Sequence, residues 1–141
     1  MPKTSTIIKT RLILYDQGRI LLLKQTKLNG GNYTLVGGSV ESEEFARLAL
    51  IRESKEEAGI ILFEKDLTLV HVMHKVGKKQ RRIGLYFKAS KWEGKLRALE
   101  KDKFKAARWF DLDELPKNLT QTARIVLHSY RKGILYSELS K

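Results

Sequence analysis

The sequence predicts a single α/β domain in which helices pack against β-strands as a mixed sandwich. Its length of 141 residues is typical of one domain. Strand-like segments precede and follow a central helical segment, and a second amphipathic helix lies near the C-terminus. The composition, 42% hydrophobic and 31% charged with no cysteine, is that of a globular protein without disulfides or thiolate metal sites. We therefore expect residues 1–141 to form one domain.

The first forty residues alternate short strands with turns. Runs rich in β-branched and apolar residues are separated by segments containing Gly, Asn and Asp, which favour turns because they tolerate positive φ angles. The first two runs are joined by a short turn, which predicts a hairpin. The predicted strands are 6–15, 20–24 and 33–36, the turn is 16–19 and the loop is 28–32.

The segment 43–58 is predicted to be a helix. Apolar residues recur in it at helical spacing, and Glu residues in its first turn complement the helix dipole. Ser42 is the predicted N-cap, and Gly59 lies where a glycine commonly ends a helix. The apolar positions are Phe45, Leu48, Ala49 and Ile51.

The second half of the chain returns to strands and closes with a helix. Pro116 ends a helical turn predicted at 111–115, and Gly133 ends the amphipathic helix predicted at 120–131. No apolar run approaches the roughly 20 residues that cross a bilayer, and the N-terminus lacks the apolar core of a signal peptide. We therefore expect a cytoplasmic protein with no membrane partner. The predicted strands are 60–63, 67–75, 82–90 and 104–110, with a hairpin loop at 76–80.

The charge of the chain is large and unevenly distributed. Lys and Arg total 28 against 16 Asp and Glu, which gives a net charge of +12. Between Gly38 and Ile60, however, six Glu face three basic residues, so this segment carries −3 and the remainder +15. A strongly basic protein attracts polyanions such as nucleotides and nucleic acids. A site that binds a cation next to a site that binds a polyanion would explain why the segment between Gly38 and Ile60 is acidic in a basic protein.

Three glutamates of the predicted helix share one face, because positions i, i+3 and i+4 are neighbours on a helix. Their mutual repulsion is relieved by a divalent cation, and Mg²⁺ prefers such oxygen ligands. Gly37 and Gly38 precede the helix, where a backbone without Cβ can bring its carbonyl oxygens close to a metal. Arg52 adjoins the acidic group and could orient a carboxylate. The three glutamates are Glu53, Glu56 and Glu57.

Glutamates on a helix are also common on solvated surfaces, so the spacing of the whole segment decides the interpretation. Read from Gly38, the chain has five residues, Glu44, seven residues, Arg52-Glu53, two residues, Glu56-Glu57, one residue, Gly59 and then Ile60. This pattern over residues 38–60 resembles the Nudix box, the 23-residue signature of the Nudix hydrolases.

The resemblance has a few departures and extends beyond the box. Ser54 stands where the family usually has an aliphatic residue, Val36 replaces a proline and Glu43 replaces a glycine, and none of these changes removes a ligand. The downstream sequence looks like that of MutT-like members. It matches at Lys91–Gly94, Glu100, Arg108–Phe110, Glu114–Pro116 and Tyr136–Glu138.

The resemblance implies a Nudix α/β/α sandwich with a central mixed sheet and hydrolysis of a nucleoside diphosphate linked to a moiety X. It implies Glu53 and Glu57 as Mg²⁺ ligands, with Mn²⁺ as the alternative ion. Glu56 is then a third ligand or the general base. The carbonyl of Gly37 or Gly38 is the backbone ligand. By the same resemblance Arg52 orients the carboxylates, and Glu44 is structural.

Residues outside the box are weaker candidates. By resemblance Glu100 is the candidate for a downstream base or extra ligand, ahead of Glu93, and Asn118 lies in a region that lines the base pocket. The basic stretch 75–82, with Lys78 and Arg81, could attract a triphosphate or an RNA 5′ end, although such hairpin tips are commonly solvated surface.

The leading hypothesis is a Mg²⁺-dependent pyrophosphohydrolase whose substrate is a small nucleotide, most simply a (deoxy)nucleoside triphosphate. Sanitising of an oxidised nucleotide and hydrolysis of a nucleotide sugar remain open. So do the base, the bond cleaved and the oligomeric state, monomer or homodimer. The alternatives are processing of RNA 5′ ends and a module that binds nucleotide or nucleic acid without turnover. Nucleic acid is the less favoured partner.

Overall fold

A computed structural model describes residues 5–140 of the chain, which contain nine strands and two helices. Two short 3₁₀ turns, at Lys27–Asn29 and Glu64–Asp66, lie between them. The helices are α1 (Ala46–Ala58) and α2 (Gln121–Arg131). The strands are β1 (Ser5–Ile13), β2 (Tyr15–Asp16), β3 (Arg19–Gln25), β4 (Tyr33–Thr34), β5 (Val36–Ser39), β6 (Leu67–Val76), β7 (Gln80–Ala89), β8 (Phe104–Asp111) and β9 (Tyr136–Ser140).

The strands form two sheets. The larger sheet has the order β5-β1-β7-β6-β9, in which β1 runs parallel to β7 and β6 parallel to β9, while the other pairs are antiparallel. The smaller sheet is built on β3, which pairs antiparallel with β2, β4 and β8. The mixed sheet and the two helices confirm the predicted α/β class.

The core lies in two apolar clusters on opposite faces of the larger sheet. Successive side chains of a strand point to opposite faces, so Leu12 packs with Leu50 of α1 while Ile13 packs with Leu127 of α2. All four side chains are at most 1% exposed, and full burial of each contributes about 2 kcal/mol. The two helices therefore cover opposite faces, which gives the predicted α/β/α layering.

The start of α1 was predicted wrongly. The helix begins at Ala46 with Phe45 as an N-cap that makes no side-chain cap hydrogen bond, instead of at 43 with Ser42 as the cap. The preceding residues turn, because the N–H of Glu44 donates to the carbonyl of Glu41 and the side chain of Glu44 accepts from the N–H of Glu41. Gly59 ends the helix with φ +68°, as predicted.

The apolar face assigned to this helix was also partly wrong. Phe45 and Leu48 are exposed, whereas Ala49 is buried as expected. Apolar residues lie on more than one side of this helix, and tertiary packing selected a different stripe than the local pattern indicated. The buried positions of α1 are Ala49, Leu50, Ser54, Glu57 and Ala58.

Other element predictions were corrected by long-range pairing. The predicted strand 60–63 is reduced to an isolated bridge between Ile61 and Glu93, and the predicted helical turn at 111–115 is an irregular turn. Strand β9 was not predicted, and residues 15–16 leave the first strand to pair in the smaller sheet. None of the helices within residues 5–140 has the length and apolar character needed to cross a bilayer.

Candidate active site

Arg52, in the middle of α1, is the centre of an ionic network. Its Nη2 and Nε donate to the two oxygens of Glu44 at 2.6 and 3.2 Å, and its Nη1 donates to Oε1 of Glu53 at 3.0 Å. The same Nη1 lies 3.5 Å from Oε2 of Glu56. The guanidinium lowers the pKa of Glu44 and its own pKa is raised in return. Arg52 thus orients carboxylates that would otherwise repel one another.

Three carboxylates converge beside this network. Glu53 and Glu56 lie one turn apart on α1, and Glu100 reaches them from the loop between β7 and β8, so that one oxygen of each lies within 4.8 Å of the others. Oε1 of Glu100 is buried and has no hydrogen-bond partner among the described residues. A buried acceptor without a donor, in a cluster of negative charge, fits a bound divalent cation.

The position of Glu100 depends on backbone hydrogen bonds between its loop and the end of α1. The N–H of Leu99 donates to the carbonyl of Glu57 at 2.9 Å, and the N–H of Arg97 donates to the carbonyl of Ala58 at 3.1 Å. These bonds satisfy carbonyls that a helix C-terminus leaves without internal partners. The residue that follows them is therefore held next to the glutamates of the helix.

Glu57 has a different environment from the three converging carboxylates. It is 4% exposed, and its Oε1 accepts a hydrogen bond from the N–H of Gly37 at 2.9 Å. Burial raises the pKa of its carboxyl to about 8; the Gly37 hydrogen bond opposes this shift and the charge of Glu53 adds to it. Glu57 lines the same cavity as Glu53, but it is outside the group of three within 4.8 Å.

The two glycines of β5 allow the close approach of these groups. Gly37 has φ +143°, a Cβ at this position would overlap the carbonyl oxygen of Thr10, and its own carbonyl accepts from Nη1 of Arg11 at 3.1 Å. A Cβ on Gly38 would lie 2.7 Å from the carboxylate of Glu53. Both positions therefore require glycine, the first for the backbone and the second for the site.

Two adjoining cavities extend from the acidic group across the larger sheet. The first, about 370 Å³, contains Glu53 and Glu57, and the second, about 360 Å³, contains Tyr86 and the first turn of α2. Since they share lining residues, they form one cleft with an acidic end and a basic end. The shared residues are Lys9, Arg11, Gln25 and Thr34.

The structure places the remaining candidates away from this acidic group. Lys78 lines a depression at the β6–β7 loop that adjoins the basic end of the cleft, and Arg81 points to the opposite face of β7 from Arg82, because side chains alternate along a strand. The side-chain amide of Asn118 donates to the carbonyl of Gly31 at 3.2 Å and does not line the cleft. Glu93 pairs with Ile61 and lines another cavity.

Two cations of the cleft, Lys9 and Arg11, were missed by the sequence analysis, whereas Lys75 and Arg82 belong to the basic stretch 75–82 that it named. Lys9 and Arg11 occupy alternate positions of β1, and Arg82 and Gly84 occupy alternate positions of the neighbouring β7. Two cations at spacing i, i+2 in a strand whose other residues are uncharged are the signal that could have revealed them. Such a pattern indicates a charged patch on one face of a sheet.

Comparison with known proteins places the chain among Nudix proteins. The family model described as NUDIX domain matches residues 8–130. The chain is 36% identical over 107 residues to an ADP-ribose pyrophosphatase of Methanocaldococcus jannaschii, a match that covers 74% of this chain and 62% of that protein. The chain therefore spans less than two thirds of the length of that relative.

Solved structures with the same fold include two MutT proteins. A MutT NUDIX hydrolase from Burkholderia pseudomallei has a TM-score of 0.79 and 31% identity, with 88% of this chain and 97% of that chain covered. A MutT protein from Methanosarcina mazei Go1 has a TM-score of 0.80 at 18% identity, with 94% and 97% covered, which bears on the fold alone.

Proposed function

The chain belongs to the Nudix family, and on this premise we propose that it is a Mg²⁺-dependent pyrophosphohydrolase acting on a nucleoside diphosphate linked to a further group. One observation carries the proposal: Glu53, Glu56 and Glu100 converge beside Arg52 and leave a buried carboxylate oxygen without a donor. The acidic group also opens into a cleft lined by cations, which suits the phosphates of a nucleotide.

The proposed ligands are the carboxylates of Glu53, Glu56 and Glu100, with Glu57 beside them. A bound Mg²⁺ would neutralise phosphate charge and lower the pKa of a water molecule. The carbonyl of Gly37 already accepts a hydrogen bond from Arg11, which makes the carbonyl of Gly38 the better backbone candidate. Mn²⁺ has the same preference for oxygen ligands and is the alternative ion.

The reaction is the attack of water on one phosphorus of the pyrophosphate. A new P–O bond forms, the bond from that phosphorus to the bridging oxygen breaks, and the bridging oxygen leaves with the second phosphate. The attacking water gives its proton to a carboxylate, for which Glu56 and Glu100 are the candidates because both side chains retain contact with solvent. Lys9 and Arg11 line the path of the phosphates and would balance their charge.

Two kinds of nucleotide are the leading candidates for the substrate. A (deoxy)nucleoside triphosphate is favoured by the cations that line the cleft. ADP-ribose is favoured by the name of the archaeal relative, which is 36% identical to this chain. In either case we propose that the substrate is a small nucleotide and that residues 1–141 act as one Nudix domain.

The test is a panel of nucleoside triphosphates and ADP-ribose, incubated with Mg²⁺, Mn²⁺ or EDTA, with products separated by chromatography. We expect hydrolysis with Mg²⁺, none with EDTA, and products that identify the bond cleaved. Hydrolysis at full rate in EDTA, or no hydrolysis of any member with either metal, would contradict the proposal.

Processing of an RNA 5′ end is the second candidate, because Lys78, Lys79 and Gln80 line a depression that shares Lys75 and Arg82 with the cleft. If the protein binds several RNA phosphates, its affinity should fall steeply as the salt concentration rises. If it binds a mononucleotide at a metal site, its affinity should fall only slightly. Exchange of Lys78 and Lys79 for Ser should lower RNA affinity and leave mononucleotide hydrolysis unchanged. Equal RNA affinity in the variant would remove this candidate.

A further inference from the structure

We propose that the basic end of the cleft binds a phosphate of the substrate that lies outside the cleaved pyrophosphate. The inference rests on the proposed function, since it names the chemical class of that substrate: a nucleoside diphosphate derivative with one additional phosphate. The binding residues are Lys9 and Arg82, with Lys75 beside them.

Three neighbouring strands bring these cations together on one face of the larger sheet. Lys75 of β6 is the direct cross-strand partner of Arg82 of β7. Lys9 lies on β1, two positions beyond Ile7, which is the partner of Arg82 on that side. All three line the second cavity together with Gly84 and Tyr86, the next residues of β7 on this face.

Lys9 and Arg82 lie among other positive charges of the cleft. Within residues 5–140, neither Lys9 nor Arg82 forms an ion pair with a carboxylate, and Nε of Arg82 donates to the neutral side-chain oxygen of Gln80 at 2.8 Å. The pKa of Lys9 is lowered by its burial and then by the charges of Arg11 and Arg82, which outweigh the opposite effect of Glu53 and Glu57. A bound anion would relieve this repulsion, as a cation would relieve that of the glutamates.

Two of the cations, Arg82 and Lys75, lie at the end of the cleft away from the proposed reaction centre. Arg82 and Lys75 line the second cavity but not the first, which holds Glu53 and Glu57. A pyrophosphate at the acidic end can therefore be contacted by Arg11, while Lys9, which lines both cavities, and Arg82 can contact a further phosphate. A substrate whose distal part is neutral would leave this charge without a partner.

Polar groups on the facing wall complete a site for phosphate oxygens. The first turn of α2 lines the same cavity through Thr120, Gln121 and Thr122, and Nζ of Lys75 donates to Oγ1 of Thr122 at 3.2 Å. Hydroxyl and amide donors next to two cations are the combination that binds phosphate with charge-assisted hydrogen bonds. The cavity volume of about 360 Å³ leaves room for a nucleoside or sugar together with this phosphate.

The additional phosphate has two chemical sources, which a binding experiment distinguishes. Isothermal titration calorimetry in EDTA, at about 0.15 M salt to screen long-range attraction, compares AMP with adenosine 2′,5′-bisphosphate, adenosine 3′,5′-bisphosphate and ATP. We expect at least about tenfold tighter binding for one of the latter three than for AMP. Tighter binding of a bisphosphate identifies a phosphate on the ribose, and tighter binding of ATP alone identifies a terminal phosphate.

The variant Arg82→Gln should remove most of this preference, and Lys9→Gln provides a second test if the first fails to fold. Lys91→Gln, which removes the same charge from an exposed position outside the cleft, is the control and should keep the preference. Equal binding of AMP and the other three ligands by the parent, or an unchanged preference in Arg82→Gln, would overturn the inference.

The metal-free design separates this inference from the proposed function. A preference that depends on Arg82 supports the phosphate site even if no nucleotide is hydrolysed with Mg²⁺. Hydrolysis of ADP-ribose and its 2′-phosphate at equal kcat/KM, with no preference in binding, leaves the proposed function intact and excludes the additional phosphate.

Discussion

The two ends of the cleft each gather like charges, but they are built in different ways. At the acidic end Arg52 contacts Glu44, Glu53 and Glu56, so the protein supplies an internal counter-ion. At the basic end, Lys9 and Arg82 have no carboxylate partner within the described residues. The acidic end is thus organised by a counter-ion of the protein itself, whereas the basic end is where we propose that a phosphate of the substrate balances the charge of Lys9 and Arg82.

Gly37 joins the two ends of the cleft through its backbone. Its N–H donates to Glu57 and its carbonyl accepts from Arg11, so one peptide segment contacts the acidic group on one side and the basic group on the other. The spacing between the acidic group and the cations is therefore set by β5 and its pairing with β1, where Gly37 faces Arg11.

The largest expected effect comes from a substitution of Gly37, which contacts both ends of the cleft. Gly37→Ala would place a Cβ against the carbonyl oxygen of Thr10 at φ +143°, so we expect a loss of at least about 3 kcal/mol in the free energy of unfolding. Gly38→Ala is the matched control: its Cβ meets the movable carboxylate of Glu53, so the fold should persist while Mg²⁺ affinity falls. Urea unfolding of both variants, with Mg²⁺ titration of the second, measures the difference. Equal free energies of unfolding for the two variants would contradict the prediction that Gly37 is required for the fold and Gly38 for the site.

The acidic end alone is tested by Glu53→Gln. This change keeps the size of the side chain but removes a charge from the converging carboxylates, so kcat should fall at least about 100-fold, on the order of 2.7 kcal/mol. The same loss is expected for Glu57→Gln. Glu64→Gln, an exposed carboxylate in the turn before β6, should retain parental kcat. Steady-state kinetics with Mg²⁺ measure kcat for each variant. A parental kcat in Glu53→Gln would exclude this residue from the mechanism.

Glu57 should make the metal-free protein less stable at higher pH. Its pKa in the folded protein, about 8, lies above its ordinary value of 4.5, so the folded state binds more protons between these values and the free energy of unfolding falls as pH rises through them. Glu57→Gln keeps the acceptor for Gly37 and should be more stable than the parent at pH 8, on the order of 2 kcal/mol. Thermal unfolding in EDTA at pH 5 and pH 8 measures this. A parental stability that does not decline relative to the variant would count against it.

The smallest expected effect concerns Ser54, a buried residue of α1 next to Glu53. The hydroxyl of Ser54 is buried without a hydrogen-bond partner among the described residues, at a position where the family usually has an aliphatic side chain. Ser54→Ala removes this unsatisfied group and should raise the free energy of unfolding by about 1 kcal/mol without changing kcat. Ser42→Ala, in the exposed turn before α1, should leave stability unchanged and serves as the control. A lower melting temperature for Ser54→Ala would show that the hydroxyl has a partner.

Local sequence was a good guide wherever a single element decides the geometry. The proximity of Glu53 and Glu56 follows from helical spacing, and the helix end at Gly59 follows from its tolerance of positive φ. The same spacing placed Glu57 with them, but the structure turns it inward to Gly37. The helix start was misplaced because the side chain of Glu44 binds Arg52 and the backbone of Glu41, contacts that local propensity does not reveal.

The sequence by itself determined that three carboxylates and an arginine share one helix, because neighbours on a helix are separated by three or four residues. Only the tertiary structure decided that Glu57 turns inward to Gly37, that Glu100 joins Glu53 and Glu56, and that cations from β1, β6 and β7 meet beside α2. Those contacts depend on strand register and loop packing between residues far apart in the chain, and no local pattern encodes them.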